Sequence, residues 1–168
     1  MNKSTTDLWV IAAQQGNTKA FAKLYEKYNP ALLRYVYKLS GNSELTKDVC
    51  QCVWLELARK LHRLVDPRAF KSWLYRTARW RCLDELRTLS KHSEYVLEES
   101  IDSTHTIEMN SDIFRAIQKL AKKEYEVVYL FYLEDLSVKE IAHVIQIPIG
   151  TVKSRLSKAR ESLNSLLS

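Results

Sequence analysis

The sequence predicts an all-α fold, and three observations carry that prediction. Glycine and proline are scarce, three of each in 168 residues, too few turn residues for a sheet-rich chain. Apolar residues recur at helical spacing through most of the chain, and no segment alternates with period two for long enough to be a strand. The breaks between periodic stretches, at Gly16, Gly41-Asn42-Ser43 and Asp66-Pro67, fall where helices would stop and restart.

The first elements follow from those breaks. Asp7 is placed to cap a short helix stopping at Gly16, and Asn17 or Thr18 to cap the next. That second helix aligns Phe21, Leu24, Tyr25, Tyr28 and Leu32, then Tyr35, Val36 and Leu39. Pro30 is expected either to kink it or to mark a local restart. A third helix carries Leu45, Val49, Val53, Leu57 and Leu61 at every fourth residue, a single apolar stripe. A fourth, about Phe70 to Leu89, is expected to bury Trp73, Leu74, Thr77, Ala78, Leu83 and Leu86. From Ile113 onward four shorter segments follow, the first marked by Ile113, Ile117 and Leu120, the second by Val127, Val128, Leu130 and Phe131.

Charge divides the chain. Residues 93–112 hold Glu94, Glu98, Glu99, Asp102, Glu108 and Asp112 with no lysine or arginine, whereas the whole chain carries +6. The stretch is therefore at −6 and the remainder at +12. It also lacks an apolar period, so it reads as a flexible acidic linker between two small basic helical domains, 1–92 and 113–168. A pI near 9.2 suits a polyanionic partner.

Cys50, Cys52 and Cys82 are odd in number and not spaced as a zinc site. They read as free buried thiols in a reducing compartment. The first residues are polar, and no apolar run approaches the ~20 residues that cross a bilayer. A cytoplasmic protein is expected. No Gly-rich phosphate loop and no cluster of histidines and acids is present, and His62, His92, His105 and His143 are scattered. Neither an enzyme, nor a cofactor, nor a metal, nor a small-molecule substrate is expected.

The last two segments form a helix-turn-helix, Ser137–Leu166. Ser137-Val138-Lys139-Glu140 is a capping box. Ile141, Ala142 and Ile145 give a short apolar face, with small Ala142 permitting a close helix crossing. Gln146-Ile147-Pro148 makes the turn, and Pro148 begins a new helix without losing a hydrogen bond. In that helix Val152, Leu156, Ala159 and Leu163 face inward, leaving Thr151, Lys153, Ser154, Arg155, Ser157, Lys158 and Arg160 mostly outward. Small hydroxyls and cations on the exposed start of a helix suit a major groove. Gln146 breaks a local rule, because glycine or asparagine is favoured where a turn needs a left-handed residue.

Residues 70–81 interleave aromatics with cations. Trp73 aligns with the apolar face, while Tyr75, Arg76, Arg79 and Trp80 fall nearer the others. Aromatics beside guanidinium groups are the chemistry of unpaired bases. A solvated basic helix with one or two surface aromatics reads equally well, and the residues alone do not choose.

Taken together, two blocks resemble one family. Leu136-Ser137-Val138-Lys139-Glu140-Ile141-Ala142 and Ile147-Pro148-Ile149-Gly150-Thr151-Val152-Lys153-Ser154-Arg155-Leu156 resemble region 4 of bacterial sigma factors, and more narrowly the extracytoplasmic-function group. Asp7-Leu8, Gly16-Asn17, Ala20-Phe21, Leu24-Tyr25 and Ser72-Trp73-Leu74-Tyr75-Arg76-Thr77-Ala78-Arg79 resemble region 2 of the same group. The resemblance implies a transcription initiation factor that binds core RNA polymerase and recognises the minus-ten and minus-thirty-five promoter elements. It implies docking of the third helix on the clamp helices of the largest polymerase subunit, through Asp48, Gln51 and Glu56. The loop 64–70 and the helix after it would open and read the minus-ten element, with Asp66, Lys71 and Ser72 near a base pocket and Arg76 and Arg79 on phosphates. Ile149, Gly150, Thr151, Lys153, Ser154, Arg155 and Lys158 would read the minus-thirty-five element.

An anti-sigma factor is a further implied partner, one that would hold the chain at the inner face of the membrane. The acidic linker would thread polymerase channels that otherwise hold nucleic acid. The chain departs from the family at Cys52, where an acid is common, at Trp80, where a smaller polar residue is usual, and at Gln146, where a turn glycine is usual. A conventional dimeric helix-turn-helix regulator is the competing reading, but no ligand-pocket signature supports it.

Overall fold

The computed structural model describes residues 3–92 and 112–168. The chain divides into two compact units, Met1–Glu98 and Glu99–Ser168. Among the described residues the regular structure is entirely helical. The acids of the proposed linker lie outside the described residues except Asp112, which is the first residue of a helix rather than part of a tether.

The N-terminal unit holds α1 (Lys3–Gln14), α2 (Thr18–Ser40), α3 (Ser43–Lys60) and α4 (Phe70–His92), with 3-10 turns at Leu61–Arg63 and Pro67–Ala69 before α4. Helix α1 begins at Lys3, so Asp7 lies inside it and does not cap it. It ends at Gln14, and the turn after it passes through Gly16, whose φ of +92° is open to glycine at no steric cost. Asn17 caps α2 by accepting from Ala20 N at 3.1 Å. Pro30 sits inside α2 without ending it. Gly41, left-handed at φ 69°, closes α2 by donating to Tyr37 O, and Asn42 then caps α3 through Leu45 N at 3.0 Å. Between them Ser40 and Thr46 share a buried hydroxyl hydrogen bond of 2.8 Å.

Helix α2 packs against all three others. Its Leu24, Leu32, Tyr35 and Val36 meet Val10 of α1, Val49, Val53 and Leu57 of α3, and Phe70, Leu74, Ala78 and Cys82 of α4 in one buried core. Tyr75 belongs there too. Expected on an outer face, it is fully buried, edge to face with Tyr35 at 5.1 Å between ring centroids. Four residues assigned to the core of α4, Trp73, Thr77, Leu83 and Leu86, are only half-buried because the inner stripe is rotated toward Tyr75. Tyr25 is exposed and Phe21 half-buried, and both rings lean edge-on against Trp54, which donates to Asn29. The thiols also divide: Cys50 and Cys82 are buried, while Cys52 is exposed, and none is in a disulfide. Burial, and then the neighbouring Cys82, push the Cys50 thiol up to about 12, so it is inert as a nucleophile at neutral pH.

The C-terminal unit holds α5 (Asp112–Gln118), α6 (Lys122–Val128), a π turn at Tyr129–Leu133, α7 (Val138–Ile145) and α8 (Ile149–Leu167). Phe114, Ala116 and Ile117 make the buried face of α5, and Ile113 points outward, against expectation. Helix α6 and the π turn bury Tyr125, Val127, Val128, Tyr129 and Leu130, with the two tyrosines stacked at 5.6 Å. Asp135 follows at φ 54°, and Leu136 N returns to Leu130 O at 2.9 Å. No helix of the described residues is long and apolar enough to cross a membrane.

Helices α3 and α4 are also joined by charge. Glu56 accepts from Lys60 at 2.9 Å and from Arg81 at 3.0 Å. The Lys60 hydrogen bond first, then the one from Arg81, hold its carboxyl below the usual range. A depressed carboxyl stabilises the fold above its ordinary value of 4.5, and that contribution is lost as pH falls through the folded value. Glu56→Gln is expected to cost about 1 kcal/mol at pH 7. Urea denaturation at pH 7 and at pH 3 checks this: the difference from the parent chain should shrink at the lower pH, and an equal difference at both would remove the ion pair as its cause.

Candidate nucleic-acid interface

The two faces that the sequence singled out lie one in each unit. In the C-terminal unit the turn of the helix-turn-helix is built by reciprocal caps. Glu140 N donates to Ser137 Oγ and Ser137 N to Glu140 Oε1, both at 3.1 Å. Gln146 takes the left-handed conformation, φ 62° and ψ 50°, and does not avoid it. In that form Gln146 N and Ile147 N both donate to Ala142 O, at 2.8 and 3.2 Å. Pro148 then precedes α8, its carbonyl accepting from Thr151 N and Val152 N.

The register of α8 follows from what it buries. Val152, Leu156 and Ala159 are buried, and Leu163 is half-buried. That leaves Thr151, Ser154, Arg155 and Lys158 as one outward stripe at spacings of three, four and seven. Ser154 and Lys158 are exposed, and Thr151 and Arg155 half-exposed. Ser154 Oγ donates to Thr151 O at 3.1 Å. Lys158 reaches Glu124 at 3.7 Å, a long pair with the lysine largely solvated, which is worth little. Ile149, Gly150 and Lys153 are exposed beside the stripe. A Cβ at Gly150 would meet nothing within 4 Å, so the chain itself does not demand glycine there. Arg160 is engaged elsewhere, donating to Tyr132 Oη at 2.8 Å and lying over its ring.

In the N-terminal unit, Asp66 caps the 3-10 turn before α4. Its carboxylate accepts from Arg68 N at 2.9 Å and from the Arg68 guanidinium at 3.2 and 3.1 Å. The Arg68 side chain, and then its backbone N–H, hold the Asp66 carboxyl below the usual range. Ser72, expected at a base pocket, is buried and donates to Ala69 O at 3.1 Å, so its hydroxyl closes the turn. Lys71, Arg76 and Arg79 are half-exposed on α4, and Trp80 is 61% exposed. On α3, Asp48 and Gln51 are exposed, with Cys52 and Leu55 beside them. Glu56 is not: its carboxylate is taken by Lys60 and Arg81. The sequence reading missed Gln14, Val65 and Arg68, which the structure brings to the same loop as Asp66.

This arrangement puts cations on an exposed face of each unit, where a polyanion could bind. Residues 24–92 match the family model Sigma-70 region 2, and residues 111–163 match Sigma-70, region 4. The chain is 30% identical to the ECF RNA polymerase sigma factor SigM of Mycobacterium tuberculosis, over 96% of this chain and 85% of that one. It is 27% identical to the ECF RNA polymerase sigma factor SigW of Bacillus subtilis, over 92% of each. Its fold is that of the sigma factor RpoE from Bartonella quintana, solved in complex with the anti-sigma factor NepR (TM-score 0.71, 22% identity, 89% of this chain and 97% of that one).

The two matched regions define a sigma-70-type transcription initiation factor, a non-enzymatic class that works with core RNA polymerase and promoter DNA. Within that class, the chain belongs to the extracytoplasmic-function group of RNA polymerase sigma factors.

Gln146 supplies a stability test of the turn. A left-handed non-glycine residue costs about 1 kcal/mol, offset in part by the greater freedom glycine has in the unfolded chain. Gln146→Gly is therefore expected to raise the stability of this unit by about 0.5 kcal/mol. Chemical denaturation of the variant measures it, and a loss of stability would show that the glutamine side chain contributes contacts of its own.

Proposed function

We propose that this sigma factor reads the minus-thirty-five element with the Thr151, Ser154, Arg155 and Lys158 stripe of α8, flanked by Ile149, Gly150 and Lys153. The observation that carries this is the stripe itself: three polar or cationic side chains and a solvated lysine opposite the buried Val152, Leu156 and Ala159. The helix start beside them also favours phosphate. The loop 64–70 and α4 take the minus-ten element, with Arg76 and Arg79 on the backbone, Asp66 and Lys71 near the base pocket and Ser72 holding the turn beneath it. Asp48 and Gln51 of α3 meet the clamp helices of the polymerase largest subunit. Glu56 contributes to that surface by fixing Lys60 and Arg81 rather than by a direct contact. The segment 93–111 acts as the acidic tether, and Asp112 begins α5. RpoE of Bartonella quintana was solved bound to an anti-sigma factor, and an anti-sigma factor of the same kind would keep this chain from polymerase, in the cytoplasm or at the inner face of the membrane.

Transcription in vitro with core polymerase and this chain across genomic DNA tests the reading and finds the promoters. Specific initiation is expected; tight operator binding by the chain alone, with no effect on core polymerase, would replace it with a conventional regulator. Arg155→Ala should weaken initiation by about 1–3 kcal/mol on promoters with an intact minus-thirty-five element. On templates already altered there the variant and parent should perform alike, and a uniform loss on both would deny Arg155 a base-reading role. Asp48→Lys should lower competition for core enzyme by about tenfold, ~1.4 kcal/mol, with thermal unfolding unchanged. Undiminished competition would remove Asp48 from the docking surface.

A further inference from the structure

The loop between α3 and α4 is held by a residue far from it in sequence. Gln14, the last residue of α1, donates through Nε2 to Leu61 O at 3.0 Å and to Leu64 O at 2.7 Å. Helix α1 packs on both 3-10 turns that flank the loop. Farther along, Asp66 is latched to Arg68, and Ser72 donates to Ala69 O. Three ties therefore fix residues 64–69, and between the first and second stands Val65, which is 96% exposed. The Arg68 side chain, 81% exposed, stands beside it.

Packing does not account for that arrangement. A β-branched residue has few rotamers, so on a fixed backbone Val65 is a stiff apolar knob facing solvent. Hydrogen bonds to the two carbonyls that bracket the first 3-10 turn are an expensive way to hold a loop with nothing to do, because Gln14 must give up the rotamer freedom of a long side chain.

We infer that Gln14 is a positioning residue for minus-ten recognition, locking the 64–69 loop in the form that presents Val65 and Arg68 to the promoter. The inference rests on the proposed reading that this loop meets the minus-ten element. It goes beyond that reading by assigning a role to α1, which lies outside the residues matched to region 2. The chemistry sets which replacements work. Two carbonyl oxygens need a group with at least two donors, so an amide or an ammonium can serve both. Methionine keeps the length of the side chain and loses the donors.

The test uses the full chain with core polymerase on a promoter found by the genomic experiment, in three forms: unaltered, altered at minus-ten and altered at minus-thirty-five. Gln14→Met should lower discrimination between the unaltered and minus-ten-altered templates by about fivefold or more, and leave discrimination at minus-thirty-five unchanged. Gln14→Lys should restore it, as a merely space-filling role would not. Unchanged minus-ten discrimination in Gln14→Met overturns the inference. So does an equal loss on all three templates that Gln14→Lys does not repair, since that marks a structural tie only. The double variant Val65→Asp, Arg68→Ala separates the two levels. If it discriminates at minus-ten like the parent chain, the loop reading itself fails. If it loses discrimination while Gln14→Met keeps it, only the role of Gln14 falls.

Discussion

The edge-to-face contact between Tyr35 of α2 and Tyr75 of α4, with both rings fully buried, sets how α4 is rolled about its own axis. Such a pair contributes about 0.5–1.5 kcal/mol beyond the area it buries, but its larger effect is on what it excludes. Neighbours on a helix differ by about 100°, so a roll that withdrew Tyr75 would turn Leu74 or Arg76 into its place. Burying the Arg76 guanidinium without a partner would cost several kcal/mol. With Tyr75 seated, Arg76 and Arg79 stay at the margin and Trp80 faces solvent. The cationic face of α4 is thus a consequence of its core, and the aromatic and basic residues of one helix are sorted by a single contact.

The C-terminal unit uses backbone geometry where the N-terminal unit uses aromatic packing. Gln146 accepts a left-handed conformation that costs about 1 kcal/mol, and the return is local. Two consecutive N–H groups satisfy Ala142 O, and the chain turns in three residues from α7 into α8. That turn, with Val152 and Leu156 buried beneath α8, decides that Arg155 and Lys158 share a stripe with Thr151. A longer turn would add freedom to the crossing of the two helices and loosen the aim of the stripe. Strain at Gln146 and precision at Arg155 are therefore linked through the same three residues.

Much of this was legible in the residues. The capping box and the turn proline depend on contacts within four residues, and the α8 register shows as the helical spacing of Val152, Leu156 and Ala159; the structure has all three as the sequence predicts. The errors lie where two readings differ by one position on a wheel or depend on distant partners. Helical spacing puts Tyr75 off the apolar face on which Trp73 lies; only Tyr35, forty residues away, turns it in. Asp7 looked like a cap because acids favour helix starts, yet α1 extends past it to Lys3. Ser72 and Glu56 carry the right chemistry for contacts with a partner but spend it internally, on Ala69 O and on Lys60 and Arg81. Gln14 gave no signal at all, since a glutamine at the end of a helix is ordinary and its two acceptors lie 47 and 50 residues on.

The charge distribution explains why a protein with two DNA-facing surfaces would still depend on polymerase. On the proposed reading each unit brings about three cations to DNA, Lys71, Arg76 and Arg79 in one and Lys153, Arg155 and Lys158 in the other, so each neutralises three phosphates at most. Affinity from counterion release scales with the number of phosphates neutralised, with a slope near −0.9 per contact in log K against log salt. Three contacts make a shallow, weak, sequence-independent grip. Joining the grips raises affinity only if both can engage at once, and tethering through 93–111 would give the second site an effective concentration no higher than roughly millimolar. Five acids between the basic units further oppose a direct approach of 93–111 to DNA. A core enzyme that fixes the spacing of the two units supplies what the chain lacks, converting two weak contacts into one whose strength depends on both promoter elements being present at the right separation.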